Sequence, residues 1–286
     1  MFPSSFDYTA AHSIDEAVAA KREGGDETRF LAGGQSLIPM MKTRLATPAK
    51  LVDINGIPGL DTLERVNGHL RVGALVRHAD VVRSDITFGA VKSAAPWVSD
   101  PLVRNRGTLC GSVAHCDPEG DWNSVLLATG ADVIARGTTG ERSIPIAEFI
   151  VDFFGNALAD DEMVTEVRIP VPSGRAGGSY QKLERKVGDY ATVAVAAHLE
   201  LAADGTIARA GLALTAVNPV NTKVTAAEEM LVGQLPTTDV FVAAGELAAQ
   251  ASEPRDDVRG SAEWKRNVVR VFTRRALAAA AAEAQA

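Results

Sequence analysis

The sequence predicts an α+β protein: two small α/β subdomains followed by an α+β domain in which a sheet carries three helices. Three patterns carry that expectation. Helix-like and strand-like apolar periods alternate through the first fifty-odd residues, and a hairpin around Asn67-Gly68 opens a second mixed stretch. After a cluster of Pro170, Pro172, Ser173, Gly174 and Gly177-Gly178, the order becomes strands first and helices after. The expected boundaries are subdomains at 1–56 and 57–172 and a C-terminal domain at 178–286.

In chain order, "SIDEAVAAKREGG" reads as a helix: Ser13 and Glu16 have capping-box spacing, and Gly24-Gly25 ends it. "TRFLA" is a strand, followed by the glycine loop of "FLAGGQSLIPMMKTRL" and a helix through Met40-Met41, taken as core residues. "LVDI" (51–54) is a buried strand, and alternating runs flank Asn67-Gly68. "VRHADVVRS" and "FGAVKSAAPWV" look helical, and Ser99 to Gly120 reads as a loop rich in Gly, Asp and Pro. "WNSVLLATGA" is a helix; "DVIAR" and "EMVTEVRIP" are strands. Beyond the Pro/Gly cluster, "SYQKLER", "TVAVAAHLEL" and "IARAGLALTAV" are strands, the last two joined by "AADG". Helices are expected at 222–232, 238–251 and 261–281, with the alanine-rich end "RRALAAAAAEAQA" fraying.

The chain has 286 residues, 46% hydrophobic and 23% charged, with a net charge of −7 and no block of Lys and Arg. Nucleic acid is therefore not an expected partner. Two cysteines, Cys110 and Cys116, exclude a disulfide framework. The N-terminus shows no signal-peptide pattern and no segment reaches membrane-spanning length, so a cytoplasmic protein is expected.

The chemistry concentrates in two loops. Gly33-Gly34, followed by Gln35-Ser36, sits where a strand hands over to a helix. Such a place frees the backbone and leaves N–H groups for an anion. A second glycine-bearing turn, Gly107 to Ser112, offers N–H groups and the Thr108 and Ser112 hydroxyls. Two such loops suit a diphosphate held between two subdomains. Neither matches G-x-G-x-x-G or G-x-x-x-x-G-K-[ST], which argues against a nicotinamide Rossmann domain and a P-loop ATPase. His115-Cys116-Asp117 lacks the ligand pairs of a zinc site, so no metal is expected.

Three long stretches carry a resemblance: "AGGQSLIPMMKTRLATPAKLVDINGIPGL", "VRNRGTLCGSVAHCDPEGDWNSVLLATGADV" and "YQKLERKVGDYATVAVAAHLEL". Together they resemble the two flavin motifs and the C-terminal domain opening of the FAD-binding medium subunits of the molybdenum hydroxylases, the carbon monoxide and xanthine dehydrogenase family. The resemblance implies a vanillyl-alcohol-oxidase-like (PCMH-type) FAD fold, with a C-terminal domain of the carbon monoxide dehydrogenase flavoprotein type closing over the flavin. By position, it implies that Ala32, Gly33, Gly34, Gln35 and Ser36 bind the pyrophosphate from one side and Thr108, Gly111 and Ser112 from the other. Asp121 would accept from ribityl or ribose hydroxyls, Val164 would offer backbone to the ring, and Lys182 with Asp189-Tyr190 would lie near the isoalloxazine. The chain departs from the family's Gly-Gly-Asn at Cys110-Gly111-Ser112: Cys110 brings a Cβ to the phosphate approach, and Ser112 is a shorter polar arm.

The same residues have plainer readings. Lys182 could be a solvated side chain, Tyr190 an edge aromatic, and Asp121 an N-cap. The implied function is electron transfer: FAD takes electrons from [2Fe–2S] clusters of a small iron–sulfur subunit beside a molybdopterin large subunit, in a dimer of heterotrimers. The alternatives are an independent FAD oxidase or reductase, and a scaffold with a structural flavin. A C-terminal domain of about 110 residues with no His/Glu-rich cluster argues against a self-contained oxidase.

Overall fold

The computed structural model describes residues 2–286. Its first unit is a three-stranded parallel sheet of order β1-β3-β2, from β1 (Asp7–Ala10), β2 (Thr28–Leu31) and β3 (Lys50–Asp53). The connections are α1 (Ile14–Gly24) and α2 (Leu37–Thr43). Ser13 caps α1 by accepting from the Glu16 amide, but the Glu16 carboxylate takes the N–H of His12, one residue before the capping-box partner. Met41 is buried; Met40 is only partly so and faces a cleft.

The middle unit opens with the hairpin of β4 (Leu63–Val66) and β5 (His69–Gly73); Asn67 and Gly68, both at positive φ, make its turn. Helices α3 (His78–Arg83) and α4 (Gly89–Ala94) follow. The stretch read from sequence as one loop, 99–120, instead holds α5 (Pro101–Arg104) and α6 (Leu109–His115), short helices set among Gly, Asp and Pro residues that read as turn signals. Next come α7 (Asp121–Thr129), β6 (Asp132–Gly137), β7 (Gly140–Pro145), α8 (Ile146–Phe149), and the small pair β8 (Ile150–Asp152) and β9 (Gly155–Asn156). Finally β10 (Met163–Pro170) completes an antiparallel sheet of order β4-β5-β10-β6-β7. A bulge between Val164 and Glu166 interrupts the β10–β6 register.

The third unit is the antiparallel sheet β11 (Ala176–Glu184), β12 (Ala191–Leu201), β13 (Ile207–Thr215) and β14 (Thr222–Lys223). Its helices are α9 (Thr225–Leu231), α10 (Thr238–Gln250) and α11 (Ala262–Gln285). Side chains alternate across the sheet. Val193, Val195, Ala197 and Leu199 join α9–α11 in one core, while Tyr180, Ala194, Ala196 and Ala213 join the core of the middle unit. Gly177 and Gly178, which look like loop punctuation in sequence, are strand residues. A Cβ on Gly177 would strike the Ala280 carbonyl of α11, and one on Gly178 the Ala90 amide of α4. The alanine-rich end of α11 is not frayed: it is helical to Gln285, with Ala276, Ala280, Ala281 and Ala284 buried and Glu283 accepting the Gly178 N–H at 2.8 Å. No helix among the described residues is long and apolar enough to cross a membrane.

Candidate functional site

Between β2 and α2 the chain turns through Ala32–Ser36. A Cβ on Gly33 would lie 2.7 Å from Gly107 Cα and 2.9 Å from the Arg106 carbonyl carbon, so this glycine is where the two loops touch. Gly34 has φ +71°, the left-handed region. Among the described residues, no acceptor takes the N–H of Gly33, Gly34, Gln35 or Ser36, and the Ser36 hydroxyl, at the N-cap of α2, makes no cap bond. The loop is held from behind. Asn55 Nδ2 donates to the Ala32 carbonyl at 2.9 Å, and Arg77 donates to Asn55 Oδ1 at 2.6 Å and to the Arg106 carbonyl at 2.5 Å. Asn55 and Arg77 thus lash one loop to the other, a role with no trace in local sequence.

The second loop is the start of α6. Thr108 is its N-cap, with Oγ1 accepting the Gly111 N–H at 3.0 Å, while the Ser112 N–H goes to the Thr108 carbonyl at 3.1 Å. The expectation that Gly111 and Ser112 aim amides at an anion is corrected accordingly: both amides are already bonded, and the turn offers its hydroxyls. Cys110 does not crowd this edge either. Its side chain is 2% exposed, its thiol donates to the Val72 carbonyl at 3.3 Å, and burial holds it protonated.

Asp121 is the first residue of α7, not its cap, which is Gly120. Its Oδ1 accepts from Tyr180 Oη at 2.7 Å and its Oδ2 from Lys182 Nζ at 3.1 Å. Burial raises its pKa and the Lys182 charge opposes the rise. The Lys182 side chain is 1% exposed, donates also to the Trp97 carbonyl at 3.0 Å, and lies 3.4 Å from Glu184 Oε2. It is neither solvated nor presented to the cleft; it stands behind Asp121. Period-two alternation puts Tyr180, Lys182 and Glu184 on one face of β11, a pattern visible in "SYQKLE" once the strand's direction is known.

These elements wall a cleft of about 1070 Å³. Ala32–Ser36, Thr108, Gly111, Ser112, Asp121, Val164, Asp189 and Tyr190 all line it; of the sequence-predicted residues, Lys182 does not. Lys21 and Arg29 also line it, as does Gly188 beside Asp189 and Tyr190. Tyr190 is half-exposed, and burial with nearby carboxylates raises its phenol pKa. Sequence reading passed over residues 146–161, yet Phe154, Asn156 and Leu158 line the cleft and the Phe154 ring lies 5.1 Å from that of His115. Under Gly107, His78 Nδ1 accepts from the Trp122 indole N–H at 3.0 Å, and burial pushes its pKa down to about 4. His78 is therefore neutral with its proton on Nε2.

Residues 4–172 match the family described as the FAD binding domain in molybdopterin dehydrogenase, and residues 178–280 the CO dehydrogenase flavoprotein C-terminal domain. The chain is similar to the 6-hydroxypseudooxynicotine dehydrogenase complex subunit alpha of Paenarthrobacter nicotinovorans, at 35% identity over 98% of this chain and 96% of that one. It is equally similar, at 35% identity over 98% of both, to the carbon monoxide dehydrogenase medium chain of Hydrogenophaga pseudoflava. A solved structure of carbon monoxide dehydrogenase from Hydrogenophaga pseudoflava superposes with a TM-score of 0.95 at 36% identity, covering 99% of each chain.

Proposed function

This chain belongs to the FAD-binding medium subunits of the molybdenum hydroxylases, and we propose that it is the electron-transfer subunit of such an assembly. In that reading it receives electrons from the [2Fe–2S] clusters of an iron–sulfur small subunit, beside a molybdopterin large subunit, and hands them to an external acceptor. The oligomer proposed is a dimer of heterotrimers in the cytoplasm. The single observation that best supports the cofactor site is the run of amides from Gly33 to Ser36, four successive N–H groups without acceptors on the wall of the cleft. A diphosphate supplies the missing acceptors.

The residues present fit FAD. The Ala32–Ser36 backbone and the Ser36 hydroxyl would hold the pyrophosphate, with the Thr108 and Ser112 hydroxyls facing it and Gly111 letting it approach. Asp121 has carboxylate lone pairs beyond those used by Tyr180 and Lys182, and these would accept from sugar hydroxyls. Val164, Asp189 and Tyr190 would wall the ring, while Lys182 acts through Asp121. Bound FAD supplies a centre that takes up electrons and passes them to a second acceptor.

Cysteine arithmetic supports the route. Each [2Fe–2S] cluster takes four thiolates, whereas this chain has only Cys110 and Cys116, both buried. Electrons from such clusters must therefore cross a protein interface. The substrate belongs to the partner: two relatives equally similar to this chain are named for different substrates, carbon monoxide and 6-hydroxypseudooxynicotine.

Acid precipitation of the purified chain should release one FAD per chain into the supernatant; FMN there, or flavin retained in the pellet, overturns the cofactor reading. Mixed anaerobically with the holoenzyme's substrate, the isolated chain should keep its visible flavin band. That band should bleach only when the iron–sulfur and molybdenum subunits are added. Bleaching by substrate with this chain alone would favour an independent oxidase.

A further inference from the structure

We propose that Lys182 is a positioning residue: a buried ammonium strut that fixes the Asp121 end of α7 and the 185–190 turn relative to one another across the cleft. The proposal rests on the FAD reading above for its consequence, though not for its first test.

The geometry is a chain of contacts through one nitrogen. Lys182 Nζ donates to Asp121 Oδ2 at 3.1 Å and to the Trp97 carbonyl at 3.0 Å, and lies 3.4 Å from Glu184 Oε2. Glu184 Oε1 in turn accepts the Gly188 N–H at 3.2 Å. Asp121 and Gly188 both line the cleft, as do Asp189 and Tyr190 beyond Gly188. The remaining bonds of the turn are internal: the Asp189 N–H goes to the Lys186 carbonyl at 3.1 Å and the Tyr190 N–H to its neighbour Asp189 at 2.9 Å. Gly188 also packs against Ser99 and Asp100, two residues beyond the Trp97 carbonyl that Lys182 holds. One ammonium thus secures the head of α7, the foot of the turn and the surface on which the turn rests.

Stability alone does not account for this arrangement. Asp121 and Glu184 place two carboxylates around one ammonium, all three side chains at most 10% exposed, and Glu184 Oε2 has no hydrogen-bond partner. Buried ion pairs of this kind are weak stabilisers compared with apolar packing. What the triad does provide is a rigid, directional tie between the head of α7 and the turn that follows β11.

Arg185 and Lys186 are exposed, which places trypsin-sensitive bonds in the turn itself. In FAD-free protein, Lys182→Met should raise the rate of cleavage after these residues by about fivefold or more, the mark of a freed segment. FAD affinity should weaken by about tenfold. Because Lys182→Met strands two buried carboxylates, the double variant Lys182→Met/Glu184→Gln provides the control. It should recover most of the lost melting temperature while cleavage stays fast and FAD binding weak. Lys182→Arg keeps a cation with several donors and should restore protection. A double variant with wild-type cleavage and wild-type FAD affinity would overturn the proposal, as would a stably folded Lys182→Arg that is cleaved as fast as Lys182→Met. If the wild-type chain bound no FAD, the proposed function would fail, while the cleavage comparison would still decide the strut.

Discussion

Gly33 and Gly34 are neighbours with different reasons to be glycine. Gly33 has no room for a Cβ against Arg106 and Gly107; Gly34 needs positive φ. Gly33→Ala should push the two loops apart, so the purified variant should keep its circular dichroism but carry less than about a tenth of wild-type flavin, a loss of over 1.4 kcal/mol. Gly34→Ala should cost about 1–2 kcal/mol of backbone strain and lose flavin only in part. Full flavin occupancy in the Gly33 variant would reduce the loop to a plain turn. The glycine pair was legible in sequence because strand, glycines and helix are contiguous. Asn55 and Arg77 were not, since they meet each other across 22 residues and work on backbone carbonyls that have no residue signature. His78 carries a pH dependence. Its folded pKa of about 4 lies below the ordinary 6.5, so the unfolded chain binds a proton first and stability falls as pH drops from 6.5 towards 4. From the fully deprotonated range above pH 7 down to pH 5 the loss is about 2 kcal/mol. In His78→Asn, which keeps an acceptor for Trp122, urea unfolding should show that slope reduced; an unchanged slope would place the acid sensitivity elsewhere.

Helix α6 shows why an element can be missed while its residues are noticed. It lies between Gly107 and Asp117-Pro118-Glu119-Gly120, whose turn signals make the whole stretch read as loop, and its Thr108 cap consumes the Gly111 amide that the glycine pattern assigns to an anion. The same helix buries Cys110, so Cys110→Gly is not the benign change its place in a glycine motif suggests. Glycine inside a helix costs about 1 kcal/mol, and the lost thiol packing adds a similar amount. The variant should therefore unfold at lower urea with its FAD affinity little changed; wild-type stability would mean the core repacks around residue 110. Helix α11 is the opposite case. Its period was plain, but alanines alone did not reveal that they face a sheet. Small side chains are what let α11 approach Gly177 closely. Leu277 is fully buried there, and Leu277→Ala should cost about 2–5 kcal/mol by urea unfolding. Less than about 1 kcal/mol would indicate an end that is in fact loose.

Across the whole molecule, the chain boundary and the core boundary do not coincide. The Pro/Gly cluster near 170–178 was visible as a change of pattern, and the two family matches meet there. Periodicity, however, reports only that a strand is buried, not against what. Here one face of the third sheet, with Tyr180, Ala194, Ala196 and Ala213, closes the same core as Trp122 and Val125 of α7. Polar contacts cross the same plane: Thr215 Oγ1 to Ser124 Oγ at 2.6 Å, the Ala216 N–H to the Pro118 carbonyl at 3.0 Å, and Arg209 to the Thr129 carbonyl at 2.7 Å. Asp121, in the cleft wall, draws both of its side-chain partners from β11. The fragment 1–172 would therefore expose an apolar face and strip Asp121 of both side-chain donors. Expressed by itself, the fragment should bind a hydrophobic dye, show no cooperative melt and retain no FAD. Co-expression with 173–286 should restore both the melt and the flavin, because the missing face and the missing donors arrive together. A cooperative melt with FAD bound to 1–172 alone would show that the first two sheets make the site unaided, and that the third sheet only covers it.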